Sequence, residues 1–150
     1  MKIHLVFPVL LMAAACSFPP DVPLSPSPSP LRDAAVGCWR LESSPGLLGR
    51  PLEPTLVRLD TAVLSHGGLQ MLLLPDPGLP RDFNHWGTTE AGDKLLLSFS
   101  NGFGGVFVRA SLRGDRLRGR GSGWYDYLTV GPRGRVRGER VPCPPEPAAK

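Results

Sequence analysis

The stretch 94–121, KLLLSFSNGFGGVFVRASLRGDRLRGRG, decides the fold. Leu95, Leu97 and Phe99 fall on one face of an extended run. Val106, Val108, Ala110 and Leu112 alternate with Phe107, Arg109 and Ser111; Leu117, Gly119 and Gly121 alternate with Arg116, Arg118 and Arg120. A period of two with one apolar face describes half-buried antiparallel strands. Ala91-Gly92-Asp93, Asn101-Gly102 with Gly104-Gly105, and Arg113-Gly114-Asp115 supply turn chemistry before and between these runs. The spacing predicts three consecutive hairpin connections.

Weaker strand candidates lie at 36–42, 55–60, 68–74, 82–89 and 134–141. Pro51, Pro54, Pro75, Pro77 and Pro80 separate the early ones, and no segment carries a sustained helical period. About eight short strands in a domain of this size predict an all-β fold, a meander closed into a barrel or a sandwich. Closure removes the unpaired edges that an open sheet would expose. Gly37-Cys38-Trp39 at the domain start resembles the Gly-x-Trp signature on the first strand of lipocalin-like barrels. That resemblance implies a Trp closing the barrel floor and an Arg from the last strand packed across it, supplied by Arg140 or Arg137. The middle motif of that family, Thr-Asp-Tyr, is replaced by Tyr125-Asp126-Tyr127. The domain also resembles exported proteins of environmental bacteria, a likeness that implies no activity.

The N-terminus reads as an export signal. Lys2 is followed by the apolar run Ile3 to Met12 and then by Ala13-Ala14-Ala15-Cys16. The run is shorter than the ~20 apolar residues of a membrane-spanning helix. Small residues directly before a Cys resemble the lipobox of bacterial lipoproteins, although that family has Leu where Ala13 stands here. The resemblance implies cleavage before Cys16, lipidation of its thiol and attachment to a membrane. Ala13-Ala14-Ala15 also satisfies a signal peptidase that leaves no lipid. Residues 17–30, SFPPDVPLSPSPSP, favour the lipid. A Pro/Ser tract stays extended and holds a folded domain off a membrane. The expected organisation is a signal peptide over 1–15, a lipidated Cys and tether over 16–32, a barrel over 33–143 and a Pro-rich tail over 144–150. The expected location is the bacterial cell envelope, at the outer membrane and facing the periplasm or the cell surface, since Ser17 is not the Asp retention signal of enteric lipoproteins.

Of three Cys, lipidation removes Cys16, which leaves Cys38 and Cys143 as the only possible pair. Export places them where disulfides persist. They make no zinc site without nearby His and form no Cys-x-x-Cys redox pair.

Charge is uneven. The formal net charge is +4, and nine Arg lie between Arg109 and Arg140 against Asp115, Asp126 and Glu139. A basic surface attracts anionic headgroups or acidic polymers; the export signal argues against nucleic acid. Arg116, Arg118 and Arg120 share one strand face, and Arg133, Arg135 and Arg137 share another if that segment is extended. These rows make either a solvated face that blocks edge pairing or a contact surface for an anionic envelope component.

No constellation names a reaction, metal or cofactor. Ser65-His66-Gly67-Gly68 has no Gly-x-Ser-x-Gly partner and reads as a turn. Gly102-Phe103-Gly104-Gly105 is followed by a strand, not by the helix of a phosphate loop. Arg113-Gly114-Asp115 reads as a hairpin turn, and His85 as a strand residue. The glycines at inward positions 119 and 121 leave room for a cavity or for close packing of large neighbours. The expected function is non-enzymatic binding of a lipid or small apolar ligand, with Trp39, Trp86, Phe99 and Arg140 as lining or floor. The alternative is a structural or interaction module working through the Arg face.

Overall fold

The computed structural model describes residues 28–44, 54–65, 67–74, 84–100, 104–125 and 129–145. Cys16, the tail from residue 146 and His66 lie outside the described residues. The chain forms one short helix, α1 (Pro30–Ala35), and eight strands. These are β1 (Gly37–Ser43), β2 (Thr55–Val63), β3 (Leu69–Leu74), β4 (His85–Thr88), β5 (Leu95–Ser100), β6 (Gly104–Arg113), β7 (Arg116–Tyr125) and β8 (Thr129–Val141). Each strand pairs antiparallel with the next, and β8 returns to β1, so the sheet is a closed barrel. Of the two architectures that fit the strand count, the barrel is the one formed.

The alternation read from the sequence sets the two faces. Leu95, Leu97 and Phe99 stand opposite Ala110, Val108 and Val106 in the β5–β6 register. Leu117 and Val136 extend the same inner face onto β7 and β8, and Trp39, Val57, Leu59, Leu69, Met71 and Trp86 complete it. Each fully buried aliphatic side chain of this kind stabilises the fold by about 1.5–3 kcal/mol. β5 departs from a half-buried strand, because Leu96 on its outer side is also only 2% exposed.

The two ends of the barrel differ. At one end lie α1, the start of β1, the end of β8 and the connections β2–β3, β4–β5 and β6–β7. These connections are short, and Gly114 in the last takes φ +54°, the left-handed conformation that the hairpin reading requires. At the other end the chain passes through 45–53, 75–83, 101–103 and 126–128, which lie outside the described residues.

Four elements depart from the sequence reading. The helix begins at Pro30, inside the segment expected to be tether. Ser29 caps it by accepting a hydrogen bond from the Arg32 amide at 3.1 Å, and Pro30 occupies its first turn. A helix of six residues is not stable alone; Ala35 is fully buried, and Leu31 and Val36 pack on the barrel core. β7 and β8 also run further than expected, with a bulge between Ser122 and Trp124 absorbing a register shift. Finally, β4 is confined to four residues.

Candidate functional site

Three regions bear on function: the end closed by α1, the apolar interior leading away from it, and the outer face of β6, β7 and β8.

The closed end is organised around Trp39 and Arg140, which the β1–β8 register places directly opposite each other. Trp39 is fully buried, and its indole N–H donates to the Ala35 carbonyl at 2.8 Å. The Arg140 guanidinium lies 4.4 Å from the Trp39 ring centroid, close enough for a cation–π attraction of about 1 kcal/mol or more. It also donates to the Val36 carbonyl at 2.8 Å, to the Ala34 carbonyl and to the Asp115 carboxylate at 2.8 Å. One side chain thus ties together α1, β1 and the β6–β7 turn. Gly37 completes the arrangement. Its φ is +127°, and a Cβ there would stand 2.8 Å from Arg140 Nη1. The Gly of the Gly-x-Trp run therefore serves both backbone and space. Arg137, the other candidate for this contact, is exposed on the outer face opposite Glu42 and Arg118.

Cys38 and Cys143 are bonded across the same end, with Cα atoms 5.2 Å apart and 105 residues between them in sequence. In the chain-entropy picture a cross-link over a loop of this length stabilises the fold by about 4–5 kcal/mol. The β4–β5 turn also belongs here. The Thr89 hydroxyl donates to the Asp93 carboxylate at 2.7 Å. That bond, aided by Lys94, holds the Asp93 carboxyl below its usual range.

Away from α1, burial falls at some inward positions and not at others, with Gly104, Gly121 and Gly123 still buried. Trp86 is fully buried and donates its indole N–H to the Asp60 carbonyl at 2.9 Å. Leu95 and Leu97 are fully buried as well, whereas Leu41 and Val106, further along, are 6% and 8% exposed. Beyond them Phe99 and Leu73 pack on the core but are only half-buried. A Cβ at Gly119 would meet the Arg109 carbonyl oxygen at 2.4 Å, and one at Gly138 would meet Leu41 Cδ2 at 2.7 Å. Here glycine permits close strand approach and does not leave a cavity. Further along, Gly121 and Gly134 face each other across β7 and β8, and Gly123 stands opposite Val106. Of the four residues expected as lining or floor, Trp39 and Arg140 therefore meet at the closed end. Trp86 lies within the core, and Phe99 lies at the opposite end.

On the outer face, the register places Arg109 opposite Arg120 and Arg120 opposite Arg135. In the next row Arg118 stands opposite Arg137. Arg116, expected together with Arg118 and Arg120, differs from them in standing opposite Glu139. That glutamate pairs with Arg40 at 3.2 Å. His85 lies on β4 opposite Gln70 and Ser98. Among the described residues no cluster of three or more His, Cys, Asp or Glu could hold a metal ion.

The closed-end network was only partly visible in the sequence. Asp115 reads as part of a turn, and its ion pair with Arg140 arises only when the barrel brings the β6–β7 hairpin to the end of β8. The chain matches no protein-family model, no curated protein and no solved structure in the three comparisons made.

Proposed function

We propose that this chain is a non-enzymatic, lipid-anchored binding protein of the bacterial cell envelope. Its barrel takes a lipid or small apolar ligand at the end away from α1. Residues 1–30 support the anchor and the envelope location, through the export signal, Cys16 and the Pro/Ser tract. The outer membrane, facing the periplasm or the cell surface, is the destination most consistent with Ser17.

The observation that carries the binding reading is the half-burial of inward apolar side chains at the end away from α1. One end is filled by Trp39, Trp86 and Leu117 and covered by α1. Toward the other end the inward apolar side chains Leu73 and Phe99 are half-buried, and the inward positions of β7 and β8 there are Gly121 and Gly123, both buried, and half-buried Gly134. An eight-stranded barrel has an interior wide enough for its own side chains or for one small ligand. Apolar walls with few polar groups suit a hydrocarbon chain. Arg140 is a floor clasp in this reading and not a ligand contact.

The test is titration of the exported, oxidised chain with an uncharged apolar fluorophore such as N-phenyl-1-naphthylamine. Binding should fall at least tenfold in Phe99→Asp and Leu73→Asp and stay unchanged in Arg120→Gln. Gly119→Leu is not a usable cavity probe, because its side chain would collide with the β6 backbone. Probe binding that is absent, or that survives both Asp substitutions, would remove the reading.

A further inference from the structure

We propose that the outer face of β6, β7 and β8 docks on a phosphate-bearing membrane surface through Arg109, Arg118, Arg120, Arg135 and Arg137, with Trp124 at the headgroup boundary. The proposal is separate from the apolar-ligand reading, and it uses a different side of the barrel wall.

Neighbouring strands lie about 4.8 Å apart, so the row Arg109–Arg120–Arg135 sets three guanidinium-bearing positions side by side across three strands. Arg118 and Arg137 repeat the arrangement one row nearer α1. All five residues are exposed. Like charges placed directly opposite destabilise a sheet, so such a row opposes the fold that carries it. A face needed only for solubility gains more from mixed charge. Of the nearby acidic residues, three are engaged elsewhere and one faces Arg137. Glu139 pairs with Arg40, and Asp115 pairs with Arg140. Asp93 lies within electrostatic reach of Arg109 but hydrogen-bonds to Thr89. Glu42 stands opposite Arg137 in the β1–β8 register. Among the described residues no ion pair joins the five arginines to a carboxylate.

The next positions along the same outer face select among anionic partners. Beyond Arg109 comes half-buried Phe107, opposite Ser122, and Ser122 stands opposite Arg133. Beyond that, Trp124 stands opposite Gly105. A Cβ on Gly105 would be 2.9 Å from two ring atoms of Trp124, so the indole lies flat on the sheet and stays half-buried. Guanidinium groups beside an amphipathic indole match the layering of a bilayer surface, where phosphates lie next to the acyl boundary. A soluble polyanion uses the arginines and has no need of the indole. The segment from Cys16 to Ser29 would reach roughly 40 Å if extended, enough to let the barrel lie on its side against the membrane that holds the anchor.

The experiment uses the full mature chain carrying Cys16→Ser, exported and oxidised, so that docking is read without a lipid anchor. Vesicles of phosphatidylethanolamine and phosphatidylglycerol are compared with vesicles of phosphatidylcholine alone. The chain should sediment with the anionic vesicles, release as salt rises, and shift its Trp emission to the blue. Trp39 and Trp86 are fully buried, so Trp124→Phe should abolish that shift. Each basic residue at such a surface contributes about fivefold in partitioning, from ~1 kcal/mol apiece. The triple variant Arg118→Gln, Arg120→Gln, Arg135→Gln should therefore bind on the order of a hundredfold more weakly, with unchanged or higher melting temperature. Arg58→Gln on the opposite wall should bind as the parent does. Equal binding to both vesicle types, or a triple variant that binds like the parent, overturns the proposal. Tight binding of soluble polyphosphate with no vesicle binding also overturns it and assigns the face to a polyanion.

Discussion

Arg140 and Arg120 sit on neighbouring strands of the same sheet, yet their surroundings are opposite. Arg140 points to the inner side, over an indole, with two backbone carbonyls and a carboxylate as partners. Arg120 points outward between Arg109 and Arg135. The closed end spends its arginine on joining elements that are distant in sequence. The outer face holds its arginines in rows, with the nearby carboxylates of Glu139 and Asp115 committed to Arg40 and Arg140. The same residue type is thus clasped by neighbours in one place and exposed in the other, and the difference follows from which face of the barrel wall its position occupies.

The largest expected effect comes from opening the closed end covalently. Cys38→Ser with Cys143→Ser should lower stability by about 4–5 kcal/mol, read by urea unfolding of the oxidised parent against the variant. Arg120→Ala, by contrast, should cost nothing measurable there.

Breaking the clasp without touching the disulfide should come next. Arg140→Met keeps aliphatic bulk but removes the cation–π contact and the charge-assisted hydrogen bonds, for a loss of about 2–3 kcal/mol. Gly37→Ala should act on the same clasp, since its methyl would press on Arg140 at a strained φ. A double variant losing much less than the sum of the two would confirm that both act on one contact.

On the outer face the sign should reverse. Arg120→Gln relieves repulsion from Arg109 and Arg135 and should stabilise by about 0.2–1 kcal/mol at low salt, with the gain vanishing as ionic strength rises. A loss of stability instead would mean that these arginines hold the sheet together, which would erase the contrast with Arg140.

The smallest effect concerns acid. The Asp93 carboxyl is held low by the Thr89 hydroxyl. Its contribution is therefore complete above the unfolded carboxylate pKa and lost as pH falls through the lower folded value. Asp93→Asn should lower stability slightly at neutral pH and flatten the profile below about pH 4, parent and variant converging at the acid end, as read by thermal melts across that range.

Much of the barrel was legible because its central strands obey a strict period of two. β5, β6 and β7, the Gly114 turn and the Cys38–Cys143 pairing all follow from local pattern or from the cysteine count. What escaped did so for identifiable reasons. The helix was hidden because Ser29-Pro30, a helix start, is written in the same residues as the Pro/Ser tract before it. The first part of β8 was missed because Gly131-Pro132 interrupts its alternation, while pairing with β7 and a bulge keep it in the sheet. The Arg140 partners Asp115, Val36 and Ala34 lie 25, 104 and 106 residues away in sequence. Only closure of the barrel brings them together. The Arg rows were visible on each strand, but their alignment across strands depends on register, which alternation alone does not set.

The central claim is that the barrel is filled at the α1 end and takes an apolar ligand at the other. Native mass spectrometry of the mature Cys16→Ser chain, purified from an oxidising periplasm, tests it most directly. The account predicts the mass of the disulfide-bonded chain plus a discrete lipid or small-molecule adduct, kept by Arg120→Gln and lost by Phe99→Asp. A bare chain that also fails to take up an added fatty acid would contradict it, and would leave the outer arginine face as the working surface of the molecule.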